Sequence, residues 1–295
     1  MKIGLYNLEP KIINTAMMQV SSYYKLKGYE VEIYNPLFRE SYDQIYAFSI
    51  FDFTDRSYVT KDMLCGGTGF NIDSKLQKEI EECDYDYSLY PNSENSYIWF
   101  SRGCIRKCPF CVVPKKDGYI HSVNPKKLNP KGKYIIIMDD NFFANPKWRK
   151  AIKQLKEWGQ PVRFECGIDV RLFDKEQGEA LKSLKLYKQL HIAWDNPKED
   201  LIPKIKELIK YIKPYKIMCY VLIGYWSSKE EDLMRVKKLM ELKIDPFAMP
   251  YNKKDRYQKD FARWCNKVWI RKKCEFKDYK HSKKLYEVSA NSSQQ

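Results

Sequence analysis

The sequence predicts an α/β protein in which a small parallel α/β domain precedes a larger strand–helix barrel that does not close. Apolar runs of strand length alternate with segments of helical periodicity along most of the chain, a pattern typical of parallel sheets with helical crossovers. Charge divides the chain as well: residues 1–96 carry 9 Lys/Arg and 15 Asp/Glu, whereas the remainder carries 44 and 23. Because the turn-rich stretch 91–96 marks the reversal, we expect a domain boundary at residue 96.

The first domain, residues 1–96, shows a β-α-β beginning and is expected to be Rossmann-like. Strands are predicted near 2–6, 31–33 and 45–50, and helices over 11–27, ended by Gly28, and over 73–83. The run Cys65–Gly69 is expected to form a tight turn.

The second domain, residues 97–252, shows six strand candidates. They lie at 97–100, 134–138, 162–166, 189–193, 216–223 and 244–249, with helices near 146–158, 174–185, 199–212 and 228–240. The first crossover, residues 101–133, is long and rich in Pro, Lys and Gly, so a loop with a short helix is expected there. Six strand–helix units are fewer than the eight of a closed barrel, so we expect a partial (β/α)6 TIM-like barrel.

The third segment, residues 253–295, is predicted to be a basic, aromatic helical extension with a frayed tail at 290–295. Residues 253–284 hold 13 basic and 4 acidic side chains with interleaved Tyr257, Trp264, Trp269 and Tyr279. Such a surface could grip a phosphate backbone and stack on bases. Only 11 of the 53 basic residues are Arg, so a solvated helix face or a Lys-rich genome composition is an open alternative.

Composition also bears on the cellular setting. No apolar run approaches the roughly 18 residues of a membrane span, so no membrane association is expected. The first residues lack the features of a secretory signal, and a cytoplasmic location is therefore expected. In that compartment the 9 cysteines favour metal or redox roles over a disulfide framework.

One cluster of cysteines carries a chemical signal. Cys104, Cys108 and Cys111 follow the first barrel strand on a loop that also contains Gly103 and Pro109. Thiolates hold iron–sulfur clusters, and three of them on a four-iron cubane leave one iron without a protein ligand. A zinc site would need a fourth ligand, commonly from a second pair, and no second pair follows in the sequence.

The C-x3-C-x2-C spacing, with the aromatic Phe110 before the third cysteine, resembles the radical S-adenosylmethionine superfamily. The resemblance implies a 4Fe-4S cluster in the loop after the first strand, with S-adenosylmethionine chelated through its amino and carboxylate groups. It also implies reductive cleavage to methionine and a 5′-deoxyadenosyl radical, and an electron donor such as flavodoxin or ferredoxin.

The same resemblance gives roles to residues that follow the second strand. Asp139, Asp140 and Asn141 stand where the superfamily places polar groups that accept from the methionyl amino group. A helix cap is the alternative, although Asn145 before Pro146 already offers a cap for the next helix.

Later strands add further candidates. By the same analogy, Asp169 and Arg171 bind the ribose hydroxyls and the methionyl carboxylate, unless they form a local ion pair. Gly224 and Met249 are expected near adenine, although Met249 could equally be a core residue. Cys166, near the barrel mouth, is a candidate for a thiol that takes part in catalysis.

After the fifth strand, Ser227 or Ser228 is expected to cap the helix that begins near residue 229. Trp194 and Asp195 end the fourth strand, where either could border the substrate or simply pack on the rim.

The first domain and the Ser101–Cys104 opening resemble cobalamin-binding radical enzymes and methylthiotransferases. Cobalamin with a histidine ligand is excluded because His121, His191 and His281 all lie outside residues 1–96. Cobalamin without a histidine ligand stays open, with the loop Gly66–Gly69 as its contact. A methylthiotransferase would need three cysteines in the first domain, which has only Cys65 and Cys83.

The predicted function is therefore a radical enzyme that abstracts hydrogen from, and modifies, an unidentified small molecule, RNA or peptide, with methylation among the candidates. The alternative is a nucleic-acid-binding protein whose cluster is structural or redox-sensing and whose basic C-terminal part makes the contact.

Overall fold

The computed structural model describes residues 1–279, so the predicted frayed tail at 290–295 and His281 lie outside the described residues. The chain divides into two compact units, residues 1–166 and the part from Gly167 onward. The predicted boundaries after residues 96 and 252 do not coincide with this division and stay predictions.

The first unit begins with a parallel sheet of four strands in the order β2-β1-β3-β4. Ile3 and Leu5 of the central strand pack against Met17 and Val20 of the first helix in an apolar core. The expected β-α-β beginning is confirmed, but the predicted turn at 65–69 starts inside a strand, and the second helix is shorter than expected. These elements are β1 (Lys2–Asn7), α1 (Thr15–Leu26), β2 (Glu30–Ile33), β3 (Gln44–Phe48), β4 (Leu64–Gly66) and α2 (Lys78–Glu81).

Local chemistry fixes the ends of α1. The Asn14 side chain accepts from the Met17 backbone N–H at 3.0 Å, which satisfies one of the unpaired N–H groups of the first turn. Gly28, with a φ of 81°, follows the helix in the left-handed conformation that glycine adopts at low cost. The predicted helix stop at Gly28 is therefore confirmed.

The same unit contains a second, three-stranded parallel sheet in the order β5-β8-β9. Two very short strands, β6 and β7, pair antiparallel and join the two ends of the cysteine-containing loop, a feature the sequence did not predict. The expected short helix in this crossover is present. The elements are β5 (Asn95–Ile98), β6 (Ser101–Arg102), α3 (Val113–Lys116), β7 (His121–Ser122), β8 (Tyr134–Ile137), α4 (Trp148–Trp158) and β9 (Val162–Phe164).

The second unit contains a three-stranded parallel sheet in the order β10-β11-β12, with Ile168 bridging to Ile192 beside it. The predicted helix over 199–212 is shorter than expected. The elements are α5 (Lys175–Lys182), β10 (Leu190–Ala193), α6 (Ile202–Leu208), β11 (Ile217–Ile223), α7 (Lys229–Glu241), β12 (Asp245–Pro250), α8 (Arg256–Asn266) and α9 (Val268–Arg271).

All six strands predicted for the larger domain are present, and each three-stranded sheet keeps its strands in chain order. An α/β fold with parallel sheets is therefore confirmed. No sheet among the described residues is closed, and the partial barrel and the Rossmann-like classification stay predictions. Within residues 1–279, every helix is too short or too polar to cross a bilayer.

Candidate functional site

The loop that carries the three cysteines has a tightly packed entrance. Gly103 has a φ of 80°, and a Cβ added there would lie 2.7 Å from the carbonyl oxygens of both Gly118 and Tyr119. The Cys104 N–H donates to the same Gly118 oxygen at 3.2 Å. Glycine is therefore required at position 103, because the outgoing and returning strands of the loop meet there.

Among the described residues, the three cysteines are not joined by disulfide bonds, and each is partly exposed. Cys104 Sγ accepts hydrogen bonds from the Arg106 backbone N–H at 3.3 Å and from Asn141 Nδ2 at 3.4 Å. The Cys111 N–H donates to the Cys108 carbonyl oxygen at 3.0 Å, which turns the chain between them.

The donor set fits a four-iron cluster in its chemistry. Three thiols on one loop can each bind a different iron of a cubane, and a sulfur that accepts N–H bonds is suited to carry negative charge. No group of three or more His, Cys, Asp or Glu side chains among residues 1–279 is arranged around a position for a single metal ion. The residues that would hold the cluster are Cys104, Cys108 and Cys111, and their binding of a cluster stays a prediction.

Asp139, Asp140 and Asn141 follow β8 and contact the beginning of the cysteine loop. Asp139, only 2% exposed, accepts from the Phe100 N–H at 2.8 Å and from the Ser101 hydroxyl. Asp140 accepts from the Gly103 N–H at 2.9 Å. Burial raises the pKa of each carboxyl group to about 6, although these hydrogen bonds oppose the shift.

These contacts give the three residues a clear structural role, because together they hold four positions of the loop, 100, 101, 103 and 104. Their predicted contacts with S-adenosylmethionine stay predictions. α4 has Lys147 rather than the predicted Asn145 at its N-cap, although Asn145 Oδ1 accepts from the Lys147 N–H at 3.0 Å directly before the helix. Asn145 is also buried and donates to the Phe100 carbonyl at 3.1 Å, which ties the strand end to the residues after β8.

Cys166 and Phe110 lie in the same unit as the cysteine loop. The Cys166 thiol donates to the Met138 carbonyl at 3.6 Å, at the end of β8. The surrounding protein, followed by the charges of Asp140 and Glu165, raises the pKa of this thiol to about 12, although the residue keeps an exposed surface. Phe110 is partly buried in the turn before Cys111. Cys166 is therefore placed near the loop as a protonated thiol.

A side chain of the loop reaches the turn that follows β4. Lys116 Nζ donates to Thr68 Oγ1, and burial lowers the pKa of this lysine. The neighbouring glycines serve packing: a Cβ on Gly67 would meet the Ser49 carbonyl oxygen at 2.4 Å, and one on Gly69 would meet the Phe51 carbonyl oxygen at 2.6 Å. The glycine-rich run that the sequence analysis considered as a cobalamin contact packs closely against a second loop, and the cobalamin contact stays a prediction.

In the second unit, Asp169 and Arg171 form the local ion pair that the sequence analysis held open. Arg171 Nε lies 2.6 Å from Asp169 Oδ1, and a second guanidinium nitrogen lies 3.4 Å from Glu199. Asp169 also accepts from the Arg171 N–H at 3.2 Å at the start of a 3-10 turn. Roles in binding ribose and carboxylate stay predictions.

Gly224 and Met249 follow or end neighbouring strands of that unit. Gly224 has a φ of 73°, and an added Cβ would lie 2.1 Å from Gln258 Nε2, so its glycine accommodates a side chain of α8. Met249 is 44% exposed and is therefore not a core residue. The adenine contact predicted for both stays a prediction.

The sequence analysis missed a buried ion pair beside β10 and β11. Asp232 and Arg235 of α7 are fully buried and lie 2.7 Å apart. The guanidinium also donates to the carbonyl oxygens of Trp194 at 2.7 Å and Leu222 at 2.9 Å. The sequence does contain a signal for this ion pair: Asp232 and Arg235 stand three residues apart, on the same face of α7 as the buried Val236 and Leu239.

The basic C-terminal extension has a buried face and an exposed one. Trp264 is 2% exposed and packs against Phe261, and the Tyr257 hydroxyl donates to Asp232 at 3.1 Å. Trp269 is 62% exposed. Of the interleaved aromatics, Trp264 is a core residue and Trp269 is the one most open to a partner.

The chain has a distant curated relative. It is 23% identical over 198 residues to tRNA-2-methylthio-N(6)-dimethylallyladenosine synthase of a Nitratiruptor species, across 54% of this chain and 46% of that protein. The chain therefore spans about half the length of the curated relative it matches. No family model matches the chain. The distant relationship supports the resemblance to the radical S-adenosylmethionine superfamily and to its modifying enzymes.

Proposed function

We propose that this chain is a radical S-adenosylmethionine enzyme that modifies its substrate after hydrogen abstraction. The observation that carries the proposal is the loop itself, in which Cys104, Cys108 and Cys111 are partly exposed and the segment after β8 holds the loop's first residues. The relationship to a tRNA-modifying synthase supports it.

The residues in and around the cysteine loop then have separate roles. A bound cluster supplies the electron that cleaves S-adenosylmethionine into methionine and a 5′-deoxyadenosyl radical. The three cysteines bind the irons, whereas Asp139 and Asp140 fix the backbone of the loop through the N–H groups of Phe100 and Gly103. The Cys166 thiol, with its raised pKa, remains protonated at neutral pH.

The finer proposal is that the substrate is an RNA. Its support is the transfer RNA in the distant relative's name and the excess of 44 basic over 23 acidic residues after residue 96. Methylthiolation is not proposed, since the first 96 residues contain two cysteines, Cys65 and Cys83, and a second cluster would need three. The packed glycines at 67 and 69 give no support to a corrin site.

Anaerobic cluster loading followed by reduction tests the enzyme proposal. With dithionite and S-adenosylmethionine, the unaltered chain should form 5′-deoxyadenosine, measured by mass spectrometry. Cys104→Ala should abolish product, whereas Cys83→Ala, a control outside the loop, should retain it. Absence of 5′-deoxyadenosine from the loaded, unaltered chain would refute the proposal and favour a nucleic-acid-binding protein with a structural cluster.

The RNA proposal is tested separately by binding. Affinity for a transfer RNA transcript should fall steeply as salt rises, because each neutralised phosphate releases counterions. Trp269→Ala should weaken binding, and Phe53→Ala, at a residue that is 74% exposed in the acidic first 96 residues, serves as the aromatic control. Binding that does not respond to salt would contradict an RNA substrate.

A further inference from the structure

The side-chain amide of Asn141 lies against the first cysteine of the loop. Its Nδ2 donates to Cys104 Sγ at 3.4 Å, and the Arg106 backbone N–H donates to the same sulfur at 3.3 Å. Two N–H groups thus present the positive ends of their dipoles to one sulfur atom. Such an arrangement stabilises negative charge on that sulfur.

The position of Asn141 is fixed from both sides. The residue is 3% exposed, and its backbone carbonyl oxygen accepts from the Ala144 N–H at 3.1 Å in the 3-10 turn that follows. The preceding Asp140 accepts from the Gly103 N–H at 2.9 Å, directly before Cys104. The backbone on both sides of Asn141 is therefore fixed, and the buried side-chain amide lies against the beginning of the loop.

We infer that Asn141 is a positioning residue that donates a hydrogen bond to a cluster-ligating sulfur and so raises the reduction potential of the cluster. The inference rests on the proposed function, because it takes Cys104 to be an iron ligand. Reduction adds negative charge to a cluster and its sulfurs. An N–H directed at a ligating sulfur stabilises the reduced state more than the oxidised state, and hydrogen bonds to the sulfurs are among the factors that set cluster potentials.

A purely structural role for Asn141 makes a different prediction. In that case its removal would loosen the loop and reduce the amount of cluster bound, but the cluster that did bind would keep its potential. The midpoint potential is therefore the measurement that separates the two roles. It is read by redox titration followed by ultraviolet–visible and electron paramagnetic resonance spectra, independently of S-adenosylmethionine cleavage.

Two variants remove the donor in different ways. Asn141→Asp keeps the size of the side chain and replaces the donor with a carboxylate, and Asn141→Leu replaces the amide with a hydrocarbon of similar shape. Asn145→Ala is the control, because Asn145 is also buried in the segment after β8 but bonds to Phe100 and Ser122. All are loaded anaerobically as full chains, and iron and sulfide are measured first.

The expected result is a shift to more negative potential in both Asn141 variants at the iron content of the unaltered chain. The shift should be larger for Asn141→Asp, and Asn145→Ala should show none. An unchanged potential in either loaded Asn141 variant, an equal shift in Asn145→Ala, or loss of iron from both Asn141 variants would overturn the inference. If the unaltered chain binds no cluster or forms no 5′-deoxyadenosine, it is instead the proposed function that fails.

Discussion

In each compact unit, charged side chains bind the backbone where a three-stranded parallel sheet ends, carboxylates in one unit and a guanidinium in the other. After β8, the carboxylates of Asp139 and Asp140 accept from backbone N–H groups of the cysteine loop. Beside β10 and β11, the guanidinium of Arg235 donates to the carbonyl oxygens of Trp194 and Leu222. The carboxylates of Asp139 and Asp140 thus hold a loop in one unit. In the other unit, the Arg235 guanidinium binds carbonyl oxygens at two neighbouring strands.

The two strand edges therefore have different roles. The acceptors after β8 fix the start of a loop whose three thiols remain partly exposed, so this edge stays open to a ligand. The donor beside β10 and β11 is fully buried with its counter-ion Asp232, so its charge is satisfied internally. The first edge therefore positions the cysteine loop, and the second stabilises the fold.

The largest expected effect comes from breaking the buried pair. Asp232→Ala leaves the Arg235 charge buried without its carboxylate partner, which should cost about 3–5 kcal/mol of unfolding free energy. Denaturant unfolding measures the loss. The control is Glu157→Ala, which removes an exposed pair with Lys153 at 4.0 Å and should change stability by less than about 0.5 kcal/mol. Equal losses would show that Arg235 finds other partners.

The next largest effect should come from the loop entrance. Gly103→Ala combines a φ of 80° with contacts of 2.7 Å to two carbonyl oxygens, and should cost roughly 2–4 kcal/mol and reduce iron loading. Gly118→Ala is the matched control, since its φ is 70° but an added Cβ would meet nothing within 4 Å. Its cost should stay near about 1–2 kcal/mol, with iron retained. Similar iron contents in the two variants would contradict the tight entrance.

The strands of both sheets were predictable because buried parallel strands appear as apolar runs bounded by turn residues. Ile135, Ile136 and Ile137 of β8 are all buried, and their run is unmistakable in the sequence. The two-residue strands β6 and β7 were not predictable, since a pair of residues carries no periodicity. The end of α6 at Leu208 was not predicted, because the apolar pattern continues in the residues that follow it.

Part of the candidate site could likewise be predicted from the sequence, and part could not. Three closely spaced cysteines can be recognised from the sequence, because the spacing itself carries the chemistry. The contacts of Asp139 and Asp140 could not be predicted, since their backbone N–H partners lie 39 and 37 residues away. Carboxylates after a strand suggested ligand contacts, and only the fold reveals that they hold a loop.

The pH dependence of stability tests the role of a further carboxyl group, Asp195, at the second edge. Burial raises the pKa of Asp195, opposed mainly by Arg171. The folded chain therefore holds this proton to higher pH than the unfolded chain, so the group's contribution to stability falls as pH rises from its ordinary pKa through the raised one.

Asp195→Asn removes that titration, and the variant should gain stability relative to the unaltered chain as pH rises through this window, by at most about 1.4 kcal/mol per pH unit. Denaturant unfolding at a series of pH values measures it. A slope that persists in Asp195→Asn would assign it to another group.

The smallest expected effect tests whether α7, which carries the buried pair, depends on its own first turn. Ser228 accepts from the Glu231 N–H at 3.2 Å, and the Glu231 carboxylate accepts from the Ser228 N–H at 2.7 Å, so the expected cap is a reciprocal capping box. Ser228→Ala should cost about 1 kcal/mol in denaturant unfolding. Ser183→Ala, which removes an exposed hydroxyl at the end of α5, should cost less than about 0.5 kcal/mol. A loss at Ser228 approaching that of Asp232→Ala would mean that the cap and the buried pair form one cooperative unit, because the helix start would then be needed to hold Arg235 against the strand ends.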